Sequence, residues 1–205
     1  MAKYIIGAIV IILIAISGYY AWQQYGQGAP APSPTPAPEV QTMQTYATST
    51  FSIQYPSDFS VDESYEYTQF EGKPIAGVSF TIPASMAEGT NLSSDTYLSV
   101  ESLPRARNCT GDIYIPANVK AVELSMGTTT YSVATTSGAA AGNLYEEHVF
   151  ALIGSKPCTA VRYYIHSGNI GNYPPEGEEG AVREFDRADL LRKFDAIRDS
   201  LILNQ

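Results

Sequence analysis

Histidine and cysteine each occur only twice in the 205 residues, and tryptophan once. Such scarcity leaves little for metal or thiol chemistry. A zinc site needs several His, Cys or carboxylate ligands at close spacing, and a redox thiol needs a paired-cysteine motif; neither pattern occurs. A glycine-rich phosphate loop and a nucleophile elbow are missing as well. Positive charge is the third shortage, with twelve Lys and Arg against twenty-one Asp and Glu and a net charge of −9. Twenty of those acids and eleven of those bases lie after residue 40, so that stretch carries the whole imbalance. A polyanion is repelled by such a surface, which excludes nucleic acid as a partner. No catalytic residue, metal or cofactor is assigned from the sequence.

What the chain does have is one long apolar run. Tyr4 to Trp22, YIIGAIVIILIAISGYYAW, holds nineteen residues without a charge. As a helix it spans about 28 Å, close to the ~30 Å hydrocarbon core of a bilayer. Tyr4 at one end and Tyr19, Tyr20 and Trp22 at the other fit interfacial aromatic belts. Lys3 is the one basic side chain before the run, and the next downstream is Lys73. The positive-inside rule then keeps residues 1–3 in the cytoplasm, passes residues 4–22 through the cell membrane and exports the rest. The rival reading is a signal peptide cut after Ala15-Ile16-Ser17. Either way the remainder lies outside the cytoplasm.

Residues 23–44 read as a linker. Gly26 to Pro38 contains five prolines alternating with small residues, a composition that forms neither helix nor central strand and runs extended. Residues 45–205 read as one α+β domain. Period-two alternation marks strands at Phe51–Tyr55, Phe59–Val61, Gly77–Ile82, Thr96–Leu103, Val119–Leu124 and Thr129–Thr135. Leu144–Ile153 and Cys158–Ser167 form a hairpin about residue 155. The chain closes on a helix capped by Asp186, with Leu190, Leu191, Phe194, Ile197 and Leu201 on one face. The expected fold is an antiparallel β-sheet with this amphipathic C-terminal helix packed on one face.

The opening Phe51-Ser-Ile-Gln-Tyr-Pro-Ser-Asp-Phe-Ser-Val and the closing Phe194-Asp-Ala-Ile-Arg-Asp-Ser-Leu resemble the two ends of PsbP/Mog1-like domains in membrane-anchored bacterial proteins. The resemblance covers two short segments. It implies a sheet sandwiched by helices and used for binding or assembly, and it brings no catalytic residues with it.

Three places deserve a functional reading. Cys109 and Cys158, an even pair in an exported domain, read as a disulfide that closes a loop of about fifty residues, worth ~4 kcal/mol in the chain-entropy picture. In the hairpin, Arg162, Tyr164 and His166 share one strand face with Tyr145 and Glu147 opposite them, enough for a small anionic ligand or hydrolysis. A sheet with one wet face displays such mixtures anyway, and a one-residue slip would substitute Glu146 and His148 for Glu147. The third place is the long connection Ser167–Glu184, where Tyr173, Pro174 and Pro175 form a candidate contact tip beside the acids Glu176, Glu178 and Glu179. The favoured function is a membrane-tethered binding or assembly module for a protein or cell-envelope partner. The alternative is a small-ligand sensor or hydrolase built around His166. Asn91-Leu-Ser and Asn108-Cys-Thr also match the glycosylation acceptor pattern.

The topology is open to a direct measurement. A membrane-impermeant thiol reagent added to whole cells is expected to label Cys109 and Cys158 only after reduction. Labelling that requires lysis instead of reduction overturns the exported reading.

Overall fold

A computed structural model describes residues 42–204. The anchor expected at residues 4–22 and nearly all of the linker lie outside the described residues. Among the described residues no helix is long and apolar enough to cross a membrane.

The domain is mainly antiparallel β-sheet with one long C-terminal helix, an α+β fold. In chain order the strands are β1 (Met43–Ala47), β2 (Phe51–Pro56), β3 (Ser60–Asp62), β4 (Glu66–Tyr67), β5 (Ile75–Thr81), β6 (Tyr97–Leu103), β7 (Val122–Met126), β8 (Thr129–Ala140), β9 (Asn143–Leu152), β10 (Cys158–Gly168) and β11 (Ile202–Leu203). A single-turn helix, α1 (Ala84–Ala87), follows β5, and α2 (Arg187–Asp199) precedes β11. The large sheet runs β3-β5-β6-β10-β9-β8-β7, with β4 also paired to β5, and a small sheet runs β1-β2-β11. Strand β10 is central. It pairs with β6 on one side and with β9 on the other.

Alternation along β10 explains the layering. Val161, Tyr163 and Ile165 face one core, together with Phe80, Leu98, Val100 and Phe150 from the neighbouring strands. Helix α2 covers this face by burying Leu190, Phe194 and Ile197, with the Phe194 ring centroid 5.2 Å from that of Tyr163. Its start is fixed as the sequence suggests: the Asp186 carboxylate accepts a hydrogen bond from the Asp189 amide at 2.9 Å, and Lys193 pairs with Asp189 one turn on. Arg198 at the far end stacks over Phe150 at 4.6 Å and bonds Asp195 and Asp199, so a nearly buried cation is fully partnered.

The second face of the large sheet is covered differently from the two-sided helical sandwich that the resemblance implies. Among the described residues no long helix lies there. A loop containing a 3-10 turn at Gly111–Tyr114 lies over it, with Tyr114 and Ile115 buried against Ala134, Val149, Ala151 and Ala160. The Cys109–Cys158 disulfide is formed, with 5.1 Å between the Cα atoms, and it ties this loop to the first residue of β10. Gly111 lies so close to β8 that a Cβ there would be 2.7 Å from the Ala134 amide nitrogen. Glycine is required by that approach.

Several boundaries differ from the sequence reading. Strand β1 begins at Met43, two residues inside the expected linker; its residues are mostly exposed, so it shows no burial alternation. Val119 sits in a turn, its amide bonded to the Ala117 carbonyl, and β7 begins at Val122 instead. Strand β8 continues to Ala140, five residues beyond the expected end, through small exposed residues with little apolar signal.

Candidate functional site

The loop that covers the second face stops short of its lower half. There the large sheet is open, and the site lies at the border between covered and open surface.

Arg162, at the centre of β10, has no exposed side-chain surface. Burying a guanidinium this deeply is costly unless its donors are met. They are met from two strands and a loop, and a ring from a third strand stacks on the group. Glu101 of β6 binds it bidentately, at 2.7 Å to Nε and 2.9 Å to Nη2. Glu147 of β9 takes Nη1. The Tyr114 carbonyl of the disulfide-tied loop accepts from Nη2 at 2.7 Å. The Tyr67 ring of β4 stacks on the guanidinium, its centroid 3.5 Å from Cζ. Register places these partners. Arg162 lies opposite Ser99 and Val149, so Glu101 and Glu147 are diagonal neighbours on the same face.

The carboxylates are held in turn. Glu101 also accepts hydrogen bonds from Ser99 at 2.8 Å and from the Tyr65 hydroxyl at 3.1 Å. Glu147 accepts from the Tyr67 hydroxyl at 3.0 Å. Burial works against the charge of Arg162, but the hydrogen bonds and attraction of Glu101, together with the charge of Glu147, outweigh it and raise its pKa. Two carboxylates surround one cation, so the group carries a net charge of −1.

Beyond Arg162 an open cleft of about 870 Å³ is lined by Tyr67, Tyr97, Tyr145, Tyr164, Glu66, Asp95 and Glu147, with Thr68, Gln69, Thr81, Ser94 and Ala140 completing the wall. The aromatic rings form a continuous row across three strands. Tyr97 and Tyr164 stack at 4.9 Å and 21°, Tyr145 lies 6.3 Å from Tyr164, and His166 stacks on Tyr145 at 4.6 Å and 19°. Burial, with the charges of Asp95 and Glu147 added, pushes the Tyr164 phenol up to about 12. The Tyr97 phenol is also pushed up to about 12, chiefly by burial. Both are neutral hydroxyls at physiological pH.

Of the five patch residues read from the sequence, Tyr145, Glu147 and Tyr164 line the cleft, Arg162 lies beneath its edge, and His166 sits at the end of the ring row. The hairpin register matches the one assumed: Glu147 is opposite Tyr164 and Tyr145 opposite His166. His166 Nδ1 bonds Asp95 at 2.7 Å, while its Nε2 is buried without a hydrogen-bond partner. Glu146 and His148 lie on the other face of β9 and bond each other at 3.3 Å. Arg187 at the start of α2 binds Glu146 and lowers its pKa. Glu146, Glu147 and His148 therefore do not converge.

The connection after β10 is folded back. The Tyr173 ring lies over Gly168 in the space a Cβ would need, while Pro174 and Pro175 are exposed. Asn91 pins the same segment: its amide nitrogen donates to the Gly168 carbonyl at 2.8 Å and its Oδ1 accepts from the Phe185 amide at 2.9 Å. Being buried and committed in this way, Asn91 is closed to a glycan, whereas Asn108 is exposed. The residues the sequence reading missed are Glu101, Tyr67, Tyr97, Asp95 and Tyr114. Glu101 inside the Leu98–Leu103 strand is a charge with no local partner, and only non-local pairing with β10 gives it meaning.

No family model matches the chain. Two curated proteins are similar to about half of it: a salivary cystatin-L of Ixodes persulcatus, 30% identical over 108 residues, 51% of this chain and 75% of that protein, and one of Ixodes scapularis, 28% identical over 111 residues, 52% of this chain and 84% of that protein. By identity and coverage the matched half of the chain belongs to the sequence family of these cystatin-L proteins. A crystal structure from Bacteroides thetaiotaomicron VPI-5482 aligns with a TM-score of 0.40 at 14% identity, over 76% of this chain and 45% of that one, so this chain spans less than half of that neighbour's length.

Two outcomes are expected from the site. Arg162→Met, which strands the buried Glu101, should destabilise the domain by about 3–5 kcal/mol in urea unfolding, and adding Glu101→Gln should recover part of that loss. In a spectrophotometric titration, Tyr97 and Tyr164 should stay protonated until about pH 12. An unfolded tyrosine ionises near pH 10. The folded state thus holds more protons above pH 10, and stability that is complete below pH 10 should fall as pH rises beyond it.

Proposed function

We propose that this chain is a membrane-tethered, extracytoplasmic binding module. In this reading Tyr4–Trp22 forms the lipid-embedded anchor, the proline-rich linker is a spacer, and the domain presents its tyrosine cleft to a partner in the cell envelope. The observation that carries it is the cleft itself. Its rings are stacked across three strands and stand on a rigid, fully bonded ion cluster, so the surface is shaped before anything binds. Preorganisation of this kind cuts the entropy cost of binding. The formed disulfide is consistent with an oxidising compartment. The PsbP/Mog1-like resemblance supports the same use, as a binding or assembly domain.

The Asp95–His166 pair favours a second reading, a small-ligand sensor or hydrolase. An aspartate orienting a histidine is half of a catalytic arrangement. The other half would be a nucleophile on Nε2, and that atom is enclosed with no hydroxyl or thiol in bonding distance. Binding is the better-supported function.

Photo-crosslinking in intact cells from an unnatural residue at position 69 or 94, on the cleft wall, followed by mass spectrometry, should capture a cell-envelope partner. Capture from position 192, on the exposed side of α2, serves as the control and should be weaker. Equal capture at all positions, or none with activity lost in His166→Ala, overturns the binding reading.

A further inference from the structure

Three features remain after the cleft's shape is described: the net charge of the cluster at its edge, the charge of its walls, and the kind of surface between the charges. The buried cluster holds Glu101 and Glu147 against Arg162 alone, leaving one negative charge uncompensated. Glu147 is the member that reaches the cleft. Glu66 and Asp95 add two further carboxylates to the wall, and among the described residues no lysine or arginine lines it. Between these charges stand the rings of Tyr67, Tyr97, Tyr145 and Tyr164. Field lines from several carboxylates concentrate in a concave, partly desolvated surface, so the potential there is more negative than the net charge alone implies.

We infer that the cleft binds an organic ammonium ion, resting on the reading of this cleft as a binding site. An ammonium group bearing alkyl substituents matches both components of the wall. Its charge is attracted by the carboxylates and by the electron-rich tyrosine rings, and its methyl or methylene groups bury apolar area against those rings. An anionic ligand is repelled by Glu66, Asp95 and Glu147. A bare metal ion would leave the aromatic surface unused, and no group of three or more potential ligands converges among the described residues. The single guanidinium is out of reach: Arg162 is enclosed by Glu101, Glu147, Tyr114 and Tyr67, so the hairpin face selects for positive charge although it contains an arginine.

The test compares three probes of nearly one shape on the full chain in detergent: choline, the neutral 3,3-dimethylbutan-1-ol, and the anionic 3,3-dimethylbutyrate. Titrations followed by amide chemical shifts should show choline perturbing residues of the cleft, with the neutral probe at least tenfold weaker and the anion without effect. Glu66→Gln, at an exposed position away from the buried ion cluster, should weaken choline binding several-fold without lowering the melting temperature, and Tyr164→Leu, which also removes the stack on Tyr97, should weaken it by a similar factor. Equal binding of choline and the neutral isostere overturns the ammonium assignment while leaving the binding reading intact. Cleft shifts with the anion alone, or with none of the three probes, overturn it as well. The binding reading itself then depends on the crosslinking result.

Discussion

The Arg162 guanidinium is the point on which the rest of the domain depends. It is bonded to β6 through Glu101, to β9 through Glu147, to the disulfide-tied loop through the Tyr114 carbonyl and to β4 through the Tyr67 ring. Strands β6 and β9 flank β10 within the sheet, whereas the loop and the Tyr67 ring close over the cation from the second face. Apolar residues in place of the whole cluster, Arg162 and both glutamates together, could pack the strands as well, because buried ion clusters are often replaceable at no loss of stability. What the ions contribute is register. A strand displaced by one residue would turn its glutamate to the opposite face and leave Arg162 without an acceptor.

The two faces of the large sheet illustrate two ways to build a core. The helix side is apolar packing: Phe194, Leu190 and Ile197 against a row of valines, leucines and aromatic rings. The other side is thinner, made from a loop, a two-residue strand and several alanines, and it is held by a disulfide, a glycine contact and the ion cluster. A loop buries less apolar area than a helix, and covalent and polar links make up the difference. Where that covering ends, the phenol row emerges.

The legible part of the sequence was the part with period. The hairpin register, the capped and amphipathic α2 and the even cysteine pair each follow from local pattern, and the structure bears these out in Tyr164 opposite Glu147, Asp186 on Asp189 and Cys109 joined to Cys158. Strands β1, β4 and β11 were missed because their burial is set by neighbours distant in the chain: β11 is two residues long and acquires strand character only by pairing with β2. The site was legible on one side. The hairpin supplied Arg162, Glu147, Tyr145, Tyr164 and His166, all local to one turn. Glu101, Tyr67 and Asp95 come from other elements, and nothing in the sequence says that β6 lies beside β10 and not β9 beside some other strand.

Strand β11 has a further consequence. Ile202 and Leu203 pair with Ser52 and Phe51, and the Asn204 amide bonds the Thr50 carbonyl. The first and last segments of the domain are thus neighbours, separated by some 150 residues of chain. A ribosome delivers β2 long before it delivers α2 and β11, so the apolar face of the nascent sheet stays uncovered until those two elements have been made. Folding of this domain is therefore expected to be a concerted event that waits for α2 and β11, with Ile53, Phe80 and Tyr163 lacking their helical cover in the interval.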